Sequence, residues 1–314
     1  MLGLLMVPAH TRLCSNEDMQ LKAELNAAIA RLRENHVPSP RMNAELLMMF
    51  TLGCDRAYLY AHPERELTKE ESQRYEEALA QRERGIPAQY ITGHQEFWGM
   101  DLIVTPAVLI PRPETEHLIE TVLRLVRELG EDEPGRVARS PLKRLKMVDV
   151  GTGSGCIALA LAKELPEAEI TAVDISRRAL EIAQANAGRL QFGGKICFVE
   201  GNLLKDFPSG SFDFVVSNPP YVGESEADQV QLEVRKFEPR RAVFAGPKGT
   251  EVIERLVSEA REVLKALGWL IMEISGTIVD GVRRLFSDWT RLEIQDDLQG
   301  IPRVVSARKP LMSR

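Results

Sequence analysis

Val148-Asp149-Val150-Gly151-Thr152-Gly153-Ser154-Gly155 is the stretch on which the fold turns. A short apolar run over 145–150 ends in three alternating glycines and passes into a helical stretch over 156–164, so the octapeptide is a strand-to-helix turn. Glycine at 151, 153 and 155 lets the backbone make the turn and lets a ligand approach closely. A dinucleotide fingerprint, G-x-G-x-x-G/A, would need a small residue at 156, which is Cys, and here the third glycine comes one place early. A P-loop fails too, because no Gly-Lys-Ser/Thr follows. A cofactor without phosphates still benefits from the free N–H groups of the helix start, which can hold a carboxylate such as that of a methionine moiety.

Downstream, apolar strands and helices alternate. Strands are expected over 170–173, 196–199, 212–216 and 269–274, with two more around Leu292 and Val304; helices are expected over 176–189, about 250–267 and about 279–287. This pattern predicts an α/β fold with a parallel sheet covered on both faces and ligands at the carboxyl ends of its strands. Asp174 closes the second strand, 23 residues after Gly151, where a carboxylate can accept from both ribose hydroxyls. The loop and Asp174 together suit S-adenosylmethionine; the plainer reading is a tight turn with an ordinary surface Asp.

Upstream, Ser15-x-x-Asp18, Ser39-Pro40 and the capping box Thr68-x-x-Glu71 each open a helical pattern, with stops at Gly53 and before Gly85. Residues 1–89 read as a helical domain for substrate recognition, 90–108 as a β-hairpin connector and 109–314 as the catalytic domain. After Pro111-Arg112-Pro113 a helix runs to about Leu129, followed by a polar loop over 131–141. Residues 136–146 carry five basic and no acidic side chains and read as a solvated loop face rather than a phosphate contact.

The chain has 314 residues, 44% apolar and 27% charged, enough for two packed domains. Its 40 basic and 46 acidic residues give a net charge of −6, the wrong sign for coating nucleic acid. No run approaches the roughly 18–20 apolar residues of a membrane span. Residues 1–7 are apolar without a basic leader and read as a ragged terminus. Cys14, Cys54, Cys156 and Cys197 are scattered and the five histidines make no HExxH, which points to a reducing compartment and to no metal site. Glu114-Thr115-Glu116-His117 could be drawn as ligands, but a solvated helix start is the better reading.

The chemistry sits at Ser217-Asn218-Pro219-Pro220-Tyr221, at the end of the fourth strand. Consecutive prolines fix an extended chain, remove two N–H donors and leave the Pro219 carbonyl without a ladder partner. A bound NH₂ group can donate one hydrogen to the Asn218 side-chain oxygen and the other to that carbonyl, which fixes the direction of the nitrogen lone pair. An amide nitrogen is a poor nucleophile because its lone pair is delocalised, and holding both hydrogens lets it pyramidalise toward an electrophile. Tyr221 can lie against the flat group and exclude water. No strong base is needed, since an N-methylated cationic amide loses its proton readily. A merely stiff turn is the competing reading, and the placement at a strand end downstream of the glycine loop favours function.

With these residues in hand, the chain resembles the peptide chain release factor N5-glutamine methyltransferases, the PrmC/HemK family, over nearly its whole length. The resemblance rests on Ser39-Pro40-Arg41 with Ala44-Glu45-Leu46-Leu47, on Tyr90-Ile91-Thr92-Gly93 and Glu96-Phe97-Trp98-Gly99, and on Leu109-Ile110-Pro111-Arg112-Pro113-Glu114-Thr115-Glu116. Gly151 to Gly155, Asn218 to Tyr221 and Phe237-Glu238-Pro239 followed by Ala242 continue it. It implies methylation, dependent on S-adenosyl-L-methionine, of the glutamine amide in the Gly-Gly-Gln tip of class I release factors, with S-adenosyl-L-homocysteine as product. It implies a class I methyltransferase sheet of seven strands with helices on both faces, plus a small all-helical N-terminal domain. Gly151, Thr152, Gly153, Ser154 and Gly155 would hold the methionine end, Asp174 the ribose and Asn218 the target amide near the methyl, while Leu203 would lie along the adenine. Asn202 stands where such families often carry an acid, and it can still accept from the adenine amino group. Ile274-Ser275-Gly276-Thr277 lacks the Gln usual in the family. A cytoplasmic monomer that binds neither DNA nor membrane is expected.

The nearest rival is a DNA adenine N6-methyltransferase, which uses the same Asn-Pro-Pro-Tyr on another conjugated amine; a ribosomal RNA guanine methyltransferase is a variant. Either must bind phosphate, and the net charge of −6 opposes both. A binding module that kept the pocket without turnover conflicts with the intact Asn218 to Tyr221. Arg112 and Glu114 stay open between a helix-start ion pair and a cofactor lid.

Overall fold

The computed structural model describes residues 20–131 and 145–311. The cap at Ser15, Cys14, the apolar residues 1–7 and most of the loop and basic segment over 131–146 lie outside the described residues. The chain divides into two compact units, Met1–Thr92 and Gly93–Arg314.

The first unit is helical: α1 (Leu21–Glu34), α2 (Pro40–Leu52), α3 (Arg56–Ala61), α4 (Lys69–Glu83) and α5 (Ala88–Thr92). Leu21, Leu25, Ile29 and Leu32 recur along one stripe of α1 and pack with Ala44, Leu47 and Met48 of α2 and with Tyr75 and Leu79 of α4. The expected capping box at Thr68 is formed in both directions, Glu71 N–H to Thr68 Oγ1 at 3.1 Å and Thr68 N–H to Glu71 Oε2 at 2.9 Å. Ser39 does precede α2, but it adopts a left-handed conformation and its hydroxyl makes no cap bond; Asn43 instead reaches back to the Pro38 carbonyl at 2.7 Å. Residues 90–92 belong to α5, so the hairpin is shorter than the sequence suggests.

That hairpin, β1 (His94–Phe97) and β2 (Met100–Ile103), opens the second unit and precedes α6 (Glu116–Glu131). There follow β3 (Lys146–Val150), α7 (Cys156–Glu164), β4 (Glu169–Asp174), α8 (Arg177–Arg189), β5 (Ile196–Glu200) and β6 (Phe212–Ser217). Short pieces come next, β7 (Val222–Gly223), α9 (Leu232–Phe237), α10 (Arg240–Val243) and β8 (Phe244–Gly246). The chain closes with α11 (Glu251–Val263), β9 (Leu264–Glu273), α12 (Val279–Leu285), β10 (Thr290–Asp296) and β11 (Pro302–Arg308).

Seven strands form one sheet in the order β10-β11-β9-β6-β3-β4-β5. Six of the seven run in one direction, and β11 alone runs antiparallel, between β9 and β10. The central strands are apolar on both faces because both are covered. Met147, Phe214, Val216 and Ile271 face one core with Leu118 and Val122 of α6 and Ile157 and Leu161 of α7. Their neighbours Val148, Val215, Leu270 and Met272 face the other, with Ile253, Leu256 and Ala260 of α11 and Val282 of α12.

One expectation is corrected: the helix read to about 267 ends at Val263, and Leu264 already begins β9. Leu267 takes φ +64° and the β6–β9 register shifts between Phe212 and Phe214, so an irregular strand start mimics the apolar spacing of a helix.

Candidate active site

The strand order reverses about β3. The chain winds outward through β4 and β5, then returns to place β6 on the other flank of β3, and a crevice opens at the carboxyl ends where the two directions part. There Val150 pairs with Ser217, and the Ser217 hydroxyl locks the two ends by donating to the Val150 carbonyl at 2.7 Å. The crevice is a cavity of about 690 Å³, within the range of small-molecule sites.

Of the sequence-selected residues, Gly151, Thr152, Gly153, Ser154, Asp174, Asn202, Leu203, Asn218 and Pro220 line this cavity. Gly155, Pro219 and Tyr221 are not among its described lining residues.

The glycine loop is held chiefly by β4. Gly151 and Thr152 N–H donate to the Val173 carbonyl at 2.8 and 3.0 Å, and Gly153 N–H donates to Asp174 Oδ2 at 2.9 Å. This leaves the start of α7 at Cys156 and Ile157, both on the cavity wall, to meet an anion. Gly151 has φ +75°, and a Cβ built there would meet no atom within 4 Å, so the space beside it is open for a ligand. Gly155 serves packing instead: at φ +84°, an added Cβ would lie 3.1 Å from the Ala183 Cβ of α8. Gly155 thus lets the start of α7 approach α8 closely.

Asp149 is fully buried behind the loop, accepting from Thr152 Oγ1 at 2.6 Å and Ala158 N–H at 3.2 Å. Loss of water around it pushes its carboxyl up to about 7. Asp174 accepts one backbone N–H on each oxygen, Gly153 at 2.9 Å and Ser176 at 2.8 Å. Each oxygen keeps lone-pair capacity for a hydroxyl. Burial raises this carboxyl above its ordinary range while the backbone donors pull the other way. Asn202 and Leu203 follow β5; Asn202 Oδ1 accepts from Arg255 at 3.2 Å and Leu203 adopts φ +59°. The open cradle at Gly151, the helix start and the two-oxygen acceptor at Asp174 fit the methionine and ribose ends of S-adenosylmethionine.

At the end of β6, Asn218 Nδ2 donates to Thr115 Oγ1 at 3.1 Å. Thr115 in turn donates to Glu273 Oε2 at 2.6 Å, and the Tyr221 hydroxyl donates to Glu273 Oε1 at 3.2 Å. Burial and the neighbouring Glu273 hold the Tyr221 phenol well above its ordinary range, so it stays a donor. Glu273 is itself buried, which raises its carboxyl against the lowering effect of its two hydroxyl partners. Tyr221 thus anchors the corner through its hydroxyl and packs against the second core.

Glu114-Thr115-Glu116-His117 does not converge: Thr115 turns to Glu273, Glu116 accepts the Trp98 N–H at 2.8 Å, and His117 contacts Glu120. Arg112 pairs with Glu238, whose other oxygen accepts the Ile110 N–H at 3.1 Å. This ties the proline-rich segment to the segment before α10 at the cavity wall. The sequence reading missed Glu273, Asp149 and the role of Thr115. The available signal was a lone acid inside an apolar strand, in Val148-Asp149-Val150 and in Leu270-Ile271-Met272-Glu273-Ile274.

The seven-stranded topology, with a cofactor-sized cavity at the reversal point, defines a class I methyltransferase. Residues 24–93 match the PrmC N-terminal domain family and residues 137–236 the methyltransferase small domain family. The chain is 54% identical over 93% of its length to a release factor glutamine methyltransferase of Koribacter versatilis, covering 99% of that protein. Against the release factor glutamine methyltransferase of Salmonella typhimurium it is 35% identical over 92% of its length and 99% of that chain. Among solved structures it resembles the hMettl16 catalytic domain in complex with a MAT2A 3'UTR hairpin, with a TM-score of 0.53, 15% identity and coverage of 78% of this chain and 83% of that one; this likeness concerns the fold alone. The chain belongs to the release factor glutamine methyltransferase family.

Proposed function

We propose that this protein methylates the N5 side-chain nitrogen of the glutamine in the Gly-Gly-Gln motif of class I peptide chain release factors, using S-adenosylmethionine. When bound, the cofactor supplies a methyl on a sulfonium, activated for direct displacement. Gly151 to Ser154 and the start of α7 hold its methionine end, Asp174 its ribose hydroxyls, and Asn202 and Leu203 its adenine.

The observation that carries the reading is the state of Asn218. Its NH₂ donates to Thr115, which leaves its carbonyl oxygen as the acceptor this residue can offer to a group in the cavity it lines. That oxygen accepts one hydrogen of the glutamine NH₂, and the Pro219 carbonyl accepts the other. Both hydrogens are then fixed, and the lone pair is aimed where the methyl arrives. Pro220 stiffens the corner, and Tyr221, tied to Glu273, keeps it in place. The corner supplies positioning and acceptors, and the proton leaves an already acidic product.

Release factors act on cytoplasmic ribosomes, so the reading implies a cytoplasmic enzyme, acting as a monomer on a protein rather than on DNA; the net charge of −6 supports this. No helix among the described residues is long and apolar enough to cross a membrane. The test incubates the protein with labelled S-adenosylmethionine and, separately, an intact release factor, its Gln-to-Ala version and duplex DNA. Label on the intact factor alone is the expected result; label on DNA overturns the assignment.

A further inference from the structure

Glu273 ends β9 beside the diproline corner, one position beyond the Ser217–Met272 pair of the β6–β9 ladder. It is 1% exposed, as is Thr115, and the two lie 158 residues apart in sequence. Its two oxygens receive the hydroxyls of Thr115, which bonds Asn218 at one end of the corner, and of Tyr221, which is the other end.

The chemistry of the three groups fixes a direction. A carboxylate only accepts, so the single Thr115 proton goes to Glu273 at 2.6 Å. Thr115 Oγ1 then has only lone pairs to offer Asn218, and of the two ends of an amide only the NH₂ satisfies them. The two ends have nearly the same shape, so sterics alone would not choose between them. Were Asn218 reversed, its NH₂ would face the NH₂ of an incoming glutamine, donor against donor.

We propose that Glu273 and Thr115 are positioning residues: the buried carboxylate, acting through the threonine hydroxyl, sets the sense of the Asn218 amide so that its oxygen faces the substrate. A second arm, through Tyr221, pins the far side of the same corner. The proposal rests on the Asn218 clamp described above and names what makes that clamp point the right way.

The test uses Thr115→Val, Thr115→Ser and Glu273→Gln in the full-length protein. The measurements are kcat and KM on intact release factor, calorimetric affinity for S-adenosylhomocysteine, and solvent exchange of the Asn218 side-chain NH₂ by NMR. Thr115→Val should lower kcat roughly 10- to 100-fold with cofactor affinity nearly unchanged, and should speed Asn218 NH₂ exchange. Thr115→Ser should recover most of both. Glu273→Gln, which can donate as well as accept, should lower kcat in the same direction. Wild-type kcat in Thr115→Val or Glu273→Gln overturns the proposal, as does an equal loss in the Val and Ser variants accompanied by weaker cofactor binding, which would mark a packing role. Failure of the clamp itself looks different: Asn218→Ala would keep its turnover whatever Thr115 does.

Discussion

Two strand ends lie side by side in this sheet, Val150 and Ser217, and they continue into sites built in opposite ways. Beyond Val150 the chain uses glycines at positive φ and backbone N–H groups tied to β4, so the cofactor side is shaped largely by side chains that are missing. Beyond Ser217 it uses two prolines and a relay of side chains ending on a buried carboxylate. The first needs open space for a ligand. The second needs one fixed direction for each hydrogen bond, and prolines cannot provide that without Thr115 and Glu273 behind them.

Perturbing each end separates these roles. The largest effect is expected for Asn218→Ala, a loss of roughly 10²–10³-fold in kcat with cofactor affinity largely kept, measured by methyl-transfer rates and calorimetry. Equal loss of both would erase the distinction between the two strand ends. Next is Asp149, on the glycine side. Its folded carboxyl is raised to about 7, above its unfolded value, so its contribution to stability is complete below about pH 4 and is lost as pH rises through 7. Asp149→Asn should therefore remove roughly 2–3 kcal/mol of pH-dependent stability between pH 5 and 8, read from denaturant unfolding at both values. Asp174→Ala should weaken S-adenosylhomocysteine binding about 10- to 100-fold with little change in folding, as calorimetry can check. The smallest effect is Gly151→Ala: the site has room for the methyl but not the preferred backbone, and about 1 kcal/mol of stability should be lost in a thermal melt.

The same contrast explains what could be read in advance. The alternating α/β order was legible because strands covered on both faces are continuous apolar runs, and the glycines and Asn218-Pro219-Pro220 stood out because their chemistry is contiguous. α3, α5 and the short elements over 222–246 were missed, being two to six residues long and too short for a period to show. Leu264 and Leu267 are three apart and so match a helical spacing, and only pairing with β6 decides for a strand. Thr115 lies inside the Pro111 to Glu116 motif, yet its meaning depends on Glu273, which the sheet brings to it from a distant strand. Local motifs reveal which atoms meet a ligand; the groups that aim those atoms are dispersed along the chain.

Leu203 carries a last consequence. It is a leucine at φ +59°, a backbone state that comes cheaply only to glycine, and it sits in the wall of the cavity. The protein thus tolerates a torsional cost of about 1–2 kcal/mol to keep an apolar side chain at that spot. Replacing it with glycine would relieve that torsion but also strip away the packing of Leu203 against the second core, so the strained backbone is held in place by the contacts of the very side chain that makes it costly.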